Sequence, residues 1–104
     1  MSRRTISSAI NYAGSGDNTI VPSSTTSPIH VWGIMFTVAG ATNIIFKSGT
    51  TALTGAMVFT GNGSSMTLQI NMDEPYFSCP TGNAFIMNAS LAVQTSGVLY
   101  YTTG

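Results

Sequence analysis

The sequence predicts an all-β domain, either a sandwich or a barrel, and three observations support this prediction. Apolar residues form runs of four to ten that are rich in Ile, Val, Phe, Tyr and Thr, the residue types enriched in strands. No window shows the apolar spacing that an amphipathic helix requires. Clusters of Gly, Asn, Ser and Pro separate the runs at intervals of about 8 to 12 residues, which is typical of short antiparallel strands joined by turns.

We expect about eight strands and one further extended segment at 75–78. The strands, in chain order, are predicted at residues 5–13, 17–22, 29–39, 42–48, 51–59, 65–72, 84–89 and 92–102. Between the first two strands lies Gly-Ser-Gly-Asp-Asn, whose residues tolerate positive φ or close an Asx-turn.

Three further turns have clear sequence signals. Gly49 is expected to adopt left-handed backbone angles in the loop at 47–51. Asn62-Gly63, between two strand-like runs, is the strongest hairpin signal in the chain. In the segment 79–83, Pro80 near the start and Gly82 later in the turn fit a β-turn.

The length of 104 residues predicts a single domain covering residues 1–104, with residues 1–5 as a possible N-terminal arm. Charged residues make up 6% of the chain and the formal net charge is zero, whereas soluble domains typically carry about 25% charged residues. Near-zero net charge favours association. A surface covered by partners explains this composition, and a surface rich in Ser, Thr and Asn is the alternative.

The same composition argues against several classes of partner and compartment. The chain has only three cations, too few for a nucleic-acid footprint. Its longest apolar stretch, residues 29–41, is too short and too interrupted to span a bilayer. With no apolar segment behind the N-terminal arginines and a lone Cys79, we expect cytoplasmic synthesis without a signal peptide or a disulfide.

Several predicted strands carry apolar residues at both alternating sets of positions, although a half-exposed strand should alternate apolar and polar. In the strand that begins at Ile29, one set contains Trp32 and Phe36 and the other contains Val31 and Met35. A neighbouring copy of the chain could cover the second face, as could a loop folded over the sheet. On the first reading, the expected oligomer interface contains Val31, Trp32, Met35, Phe36, Ile45, Tyr100 and Tyr101.

Little in the chain points to catalysis or metal binding, so we expect no catalytic, cofactor or metal site. The sequence holds one His, one Cys and three carboxylates. His30 lies within a strand and no nucleophile-elbow pattern is present. Asp73 and Glu74 are adjacent, so in extended chain they point to opposite sides and cannot act as a facing pair. The protein is therefore predicted not to be an enzyme.

Two motifs and the closing strand resemble a family of small phage virion structural proteins. These are "AINYAGSGDNTIV" at 9–21, "NIIFKSGTTALTGAMVF" at 43–59 and "GVLYYTT" at 97–103. The hairpin "FKSGTTALTG" at 46–55 is the more specific of the motifs, and together the first two cover under a third of the chain. The resemblance implies an all-β, antiparallel β-sandwich that is jelly-roll-like. Turn glycines and core apolar residues make up the motifs, so the family supplies no catalytic residue.

The resemblance also implies a function: a capsid decoration (cement) protein that binds the outer capsid surface as a homo-oligomer, commonly a trimer, with the major capsid protein as its partner. We expect a virion location after synthesis in the bacterial cytoplasm. Arg3 and Arg4 could form an anchoring arm that pairs with carboxylates, or they could be a solvated terminus.

Two alternatives to the decoration function remain open. The first is a tail-associated or fibre-tip adhesin that binds a host glycan. Its candidate aromatic residues are Tyr12, Trp32, Tyr76, Tyr100 and Tyr101. The second is a cellular carbohydrate-binding or jelly-roll enzyme domain, and the scarcity of ionisable groups argues against the enzyme.

Overall fold

The computed structural model describes residues 5–70 and 73–103, which form ten antiparallel strands and contain no helix. The strands are β1 (Ile6–Tyr12), β2 (Gly16–Val21), β3 (Ile29–Val38), β4 (Thr42–Ser48), β5 (Thr51–Ala52), β6 (Met57–Phe59), β7 (Ser65–Leu68), β8 (Phe77–Cys79), β9 (Phe85–Ala89) and β10 (Thr95–Thr103).

The strands form two five-stranded sheets. The first, sheet I, has the order β1-β10-β3, with β7 and β8 lying one after the other along the far side of β3. The second, sheet II, has the order β2-β9-β4, with β5 and β6 placed in the same way along β4.

The pairing is nested, as in a jelly roll. The first strand pairs with the last and the second with the last but one. The third pairs with β7 and β8, and the fourth with β5 and β6. One long hairpin folded over on itself gives this order and produces two packed sheets. The predicted all-β, jelly-roll-like sandwich is therefore confirmed, and the ten strands occupy eight positions because two positions are interrupted.

The interruptions account for most differences from the predicted strands. The strand predicted at 51–59 is broken between Ala52 and Met57. The strand predicted at 65–72 ends at Leu68, and the last two of its predicted residues lie outside the described part of the chain. The extended segment predicted at 75–78 is β8, which pairs with the beginning of β3.

The core between the sheets is built around aromatic rings. Phe46 is fully buried, and its ring centroid lies 5.0 Å from that of Phe77, 5.6 Å from Phe85 and 6.1 Å from Phe36. These distances and the tilted ring planes are the geometry that aromatic pairs prefer. Burial of apolar side chains such as these is the main favourable term in folding.

A β-bulge in β3 changes which residues face the core. Tyr100 lies opposite Gly33 and Tyr101 lies opposite Val31, so Trp32 is an extra residue in β3. An extra residue reverses the side to which the following side chains point. The core-facing residues of β3 are therefore Ile29, Val31, Ile34, Phe36 and Val38.

The bulge corrects the expectation that both faces of this strand are apolar. Strict alternation groups Val31 with Met35, but the structure buries the former and exposes the latter. Most of the apolar residues of β3 thus belong to a single inner face. On β4 and β10 the two-sided pattern is present, because Ile45 and Val98 lie on the opposite side from their buried neighbours Ile44 and Leu99.

Two predicted glycine turns have the expected backbone conformation. Gly49 has φ of 59° and Gly63 has φ of 85°, both in the left-handed region that residues with a Cβ rarely adopt. At the second turn, the amide of Ser64 donates to the carbonyl of Gly61 at 3.1 Å. This turn connects β6 in sheet II to β7 in sheet I, so the two strands do not pair and the hairpin predicted at Asn62-Gly63 is wrong.

Candidate functional site

The structure places some of the seven predicted interface residues in the core, one beneath its own chain, and the others on two opposite outer faces. Val31 and Phe36 are buried between the sheets, and Tyr101 packs against the same core. Val31 and Phe36 therefore belong to the subunit's own core and present no surface to a second copy, whereas Tyr101 is only partly buried. The physical reason is the bulge at Trp32: odd-numbered residues of β3 face the core before the bulge, and even-numbered residues face it after the bulge.

Trp32 is 4% exposed, and its own subunit covers it. Its indole N–H donates to the hydroxyl of Thr102 at 2.8 Å, and its ring centroid lies 6.3 Å from that of His30. Nearby, a Cβ placed on Gly33 would lie 2.8 Å from Cγ1 of Ile70. The chain around Ile70 therefore lies over this part of sheet I, as the loop alternative proposed, and Trp32 is not a free contact residue.

Met35 and Tyr100 lie on the outer face of sheet I, where they contribute to an apolar patch. Met35 is 48% exposed and lies directly opposite Val98. Val98 in turn lies opposite Ala9 of β1. We call Ala9, Met35, Ile70, Val98 and Tyr100 the outer patch.

Two shallow grooves run beside Met35, with volumes of about 270 and 260 Å³. Polar residues of β7 and β10, such as Thr67 and Ser96, line the first groove. Ile70 and Tyr100 line the second. The outer patch is thus an uncharged, partly apolar surface with two grooves. Such a surface can make a shape-complementary contact with another uncharged surface.

Ile45 lies on the outer face of sheet II, on the opposite side of the molecule from the outer patch. It is directly opposite Asn88, which is also opposite Asp17. The Asn88 amide donates to Asp17 Oδ1 at 2.7 Å, and Lys47 Nζ lies 3.0 Å from the same oxygen. The hydrogen bond from Asn88 and, after it, the interactions with Lys47 lower the pKa of Asp17. This face is therefore polar at its centre.

Outside that network, the single His and the single Cys of the chain each interact with a serine. His30 Nδ1 lies 2.9 Å from the Ser78 hydroxyl on the neighbouring strand. Cys79 is buried, and burial raises the pKa of its thiol despite a hydrogen bond with Ser48. Across residues 5–70 and 73–103, no group of three or more His, Cys, Asp or Glu side chains could hold a metal ion.

Arg3 and Arg4, the predicted anchoring arm, lie outside the residues that the structure describes. No helix long and apolar enough to cross a membrane occurs in the described part of the chain. The chain matches no protein-family model, no curated protein and no solved structure.

Sequence reasoning missed Ala9, Ile70 and Val98 as members of the outer patch. Ala9 and Val98 join Met35 through strand register, which places residues from the two ends of the chain side by side. Because alternate residues of a strand point to opposite faces, the sequence of the last strand does place Val98 on the face opposite Leu99. This alternation is the one local signal that could have identified a patch residue. Ile70 reaches the patch only through the path of the chain after β7.

Proposed function

We propose that this protein is a bacteriophage virion structural protein, a capsid decoration protein that binds the outer surface of the major capsid protein as a homo-oligomer and stabilises it. The observation that carries the proposal is the outer patch, an uncharged surface centred on the exposed Met35. The choice of a phage capsid as the partner rests on the resemblance of residues 9–21 and 43–59 to small phage virion proteins. The jelly-roll fold is consistent with that resemblance.

Such binding would be driven by burial of apolar surface, because each copy of the chain in the oligomer buries its own outer patch against the capsid. Each outer patch is small, so a single contact is weak. Several patches held on one rigid oligomer bind together, and the linked contacts give an avidity far above that of one patch. The chain has only six charged residues, so we expect capsid binding to change little with ionic strength, in contrast to binding through charge complementarity.

The test adds purified protein to expanded capsids of the encoding phage that lack it. We expect saturable binding with a fixed number of copies per capsid and an increased temperature of capsid disruption. The variant Met35→Lys places a charge in the outer patch. Because a buried Met side chain contributes roughly 1.5–3 kcal/mol, we expect at least about tenfold weaker binding per site.

The matched control is Val58→Lys, which adds the same charge to a 69% exposed residue on sheet II. This variant should bind as the unchanged protein does. Normal binding by Met35→Lys, or location of the protein solely at the tail tip in virions, would contradict the proposal.

A second candidate function is the tail or fibre-tip adhesin that binds a host glycan. One observation favours it: the half-buried ring of Tyr100 lines the 260 Å³ groove, where a sugar ring could stack. Two of the other predicted aromatics are less suited, because Trp32 is buried and Tyr101 packs on the core. Binding of the purified protein to host cells, lost in Tyr100→Ala, would favour this function over capsid decoration.

A further inference from the structure

One edge of the sandwich differs from the other three. The edge strands are β1 and the β7–β8 pair in sheet I, and β2 and the β5–β6 pair in sheet II. An exposed edge presents unpaired backbone donors and acceptors to any other strand, and proteins usually protect such edges with breaks, bulges, charges or prolines.

Three of these edges carry such protection. The β5–β6 edge consists of strands of two and three residues, and the β7–β8 edge of strands of four and three. The edge strand β2 contains Asp17, has a register irregularity between Thr19 and Val21, and is followed by Pro22.

Strand β1 carries none of these features. It spans seven residues, Ile-Ser-Ser-Ala-Ile-Asn-Tyr, with no charge and no proline. Its register with β10 is unbroken from Ile6 to Tyr12. Apart from that ladder, no backbone–backbone hydrogen bond involves β1 within residues 5–70 and 73–103. Because alternate residues of a strand direct their N–H and C=O groups to opposite sides, about half of the backbone groups of β1 point away from β10.

We infer that β1 pairs antiparallel with β1 of a second copy, about a two-fold axis at Ala9, so that sheet I continues through a dimer. Ala9 is the central residue of β1, so this is the register that pairs all seven residues. In this register the outer face of sheet I in one copy continues into the outer face of sheet I in the other, because residues that lie directly opposite each other point to the same side of a sheet.

Three of the four kinds of residue pair in this register are compatible, and the fourth places Ser8, whose hydroxyl donates to the Ile20 carbonyl of its own subunit, opposite the buried Ile10. Ile6 lies opposite Tyr12 of the second copy, an aliphatic–aromatic pair of the kind that stabilises antiparallel ladders. Ser7 lies opposite Asn11, and both can hydrogen-bond. The axial pair is Ala9 with Ala9, which brings neither bulk nor charge to the centre. No like charges meet, because β1 contains none.

The pairing also enlarges the outer patch. Met35, Val98 and Ala9 lie side by side across three strands. A two-fold axis at Ala9 joins this row to the same row of the second copy, giving one apolar stripe across six strands. The resulting assembly unit is a dimer, in contrast to the trimer that the family resemblance implies.

The first experiment is crosslinking of Ala9→Cys. Residues on the axis face each other at the distance that a disulfide requires, and the sole native cysteine, Cys79, is buried and unreactive by position. Mild oxidation of the dilute variant should give a covalent dimer in high yield. The control Ala92→Cys, at an exposed loop residue, should remain uncrosslinked. Equal crosslinking of both variants, or of neither, would overturn the pairing.

The second experiment exchanges charges at the same position. In light scattering the unchanged protein should have twice the 10.8 kDa mass of one chain. Ala9→Lys and Ala9→Glu should each halve that mass, since like charges then meet on the axis, and an equimolar mixture should restore it. Circular dichroism and Trp32 fluorescence would verify that both variants fold. The control Ala92→Lys should keep the full mass.

A mass of one or three chains for the unchanged protein, or unchanged mass in both charged variants, would refute the two-fold pairing. These measurements use the isolated protein. A dimer that fails to bind capsids would therefore refute the decoration function and leave the β1 pairing in place.

Discussion

At the scale of single residues, Phe46 shows how much of the stability depends on one buried ring. It contacts three other phenylalanine rings and is fully buried. We expect Phe46→Ala to lower the free energy of unfolding by about 3–5 kcal/mol, because transfer and cavity terms add. Urea unfolding followed by Trp32 fluorescence measures this loss.

The control for this prediction is Val58→Ala, at a residue that is 69% exposed. It should change the unfolding free energy by less than about 0.5 kcal/mol. Similar losses in the two variants would show that Phe46 does not lie in a close-packed core.

The buried hydrogen bond between Trp32 and Thr102 is a second residue-scale prediction. The indole N–H donates to the Thr102 hydroxyl at 2.8 Å. In a double-mutant cycle of Trp32→Phe and Thr102→Val, we expect a coupling energy of about 1 kcal/mol, the usual net value of such a bond. Thermal unfolding by circular dichroism measures the cycle, and a coupling energy near zero would argue against the bond.

The Asp17 network gives a prediction about pH. The Asn88 amide, and Lys47 after it, lower the pKa of Asp17 in the folded state. Its contribution to stability is therefore present above the unfolded-state pKa, about 3.9, and is lost as pH falls through the lower folded-state value. The effect on stability should be small, because exposed ion pairs contribute about 0–1 kcal/mol.

Carboxyl NMR titration tests this assignment directly. In Asn88→Ala and in Lys47→Met the pKa of Asp17 should rise towards its ordinary value, because each variant removes an interaction that lowers it. An unchanged pKa of Asp17 in both variants would contradict the assignment.

At the scale of elements, Gly97 controls the contact between β10 and β3. It lies opposite Phe36, and an added Cβ would collide with the backbone oxygen of Met35 and lie 2.6 Å from Cα of Phe36. A backbone clash cannot be relieved by a rotamer change. We therefore expect Gly97→Ala to cost more than about 2 kcal/mol, the range of severe overpacking.

Gly55→Ala is the matched control. No atom lies within 4 Å of its added Cβ and its φ is not in the left-handed region. It should leave stability unchanged or raise it slightly, since alanine restricts the unfolded chain. Comparison of the two denaturation midpoints decides the prediction, and a mild effect at Gly97 would mean that the two strands can separate locally.

The strands themselves could be predicted from sequence because each has a local cause. The run at 42–48 is bounded by turn residues and matches β4 at both ends. The predicted strand at 29–39 matches β3 to within one residue. The bulge at Trp32 could not be predicted, because it arises from the register between β3 and β10. Val31 and Phe36 were therefore expected on a contact surface although both lie in the core.

At the scale of the whole molecule, the nested pairing predicts slow folding. The first strand pairs with the last along its whole length, so most of the chain must close into a loop before that ladder forms. Proteins with such non-local contacts fold in milliseconds to seconds. Stopped-flow refolding monitored by Trp32 fluorescence should give a time constant in that range, and a microsecond refolding time would contradict it.

The sequence by itself determined the all-β class, most strand boundaries and the near absence of charge. These properties follow from residue type and near neighbours in the chain, through β propensity, turn chemistry and composition. The tertiary structure alone decided which apolar residues are buried, which form the outer patch, and which of the four sheet edges is formed by a long, unbroken and uncharged strand. Those properties depend on register and on one extra residue in β3, and both are fixed by contacts between strands that lie far apart in the sequence.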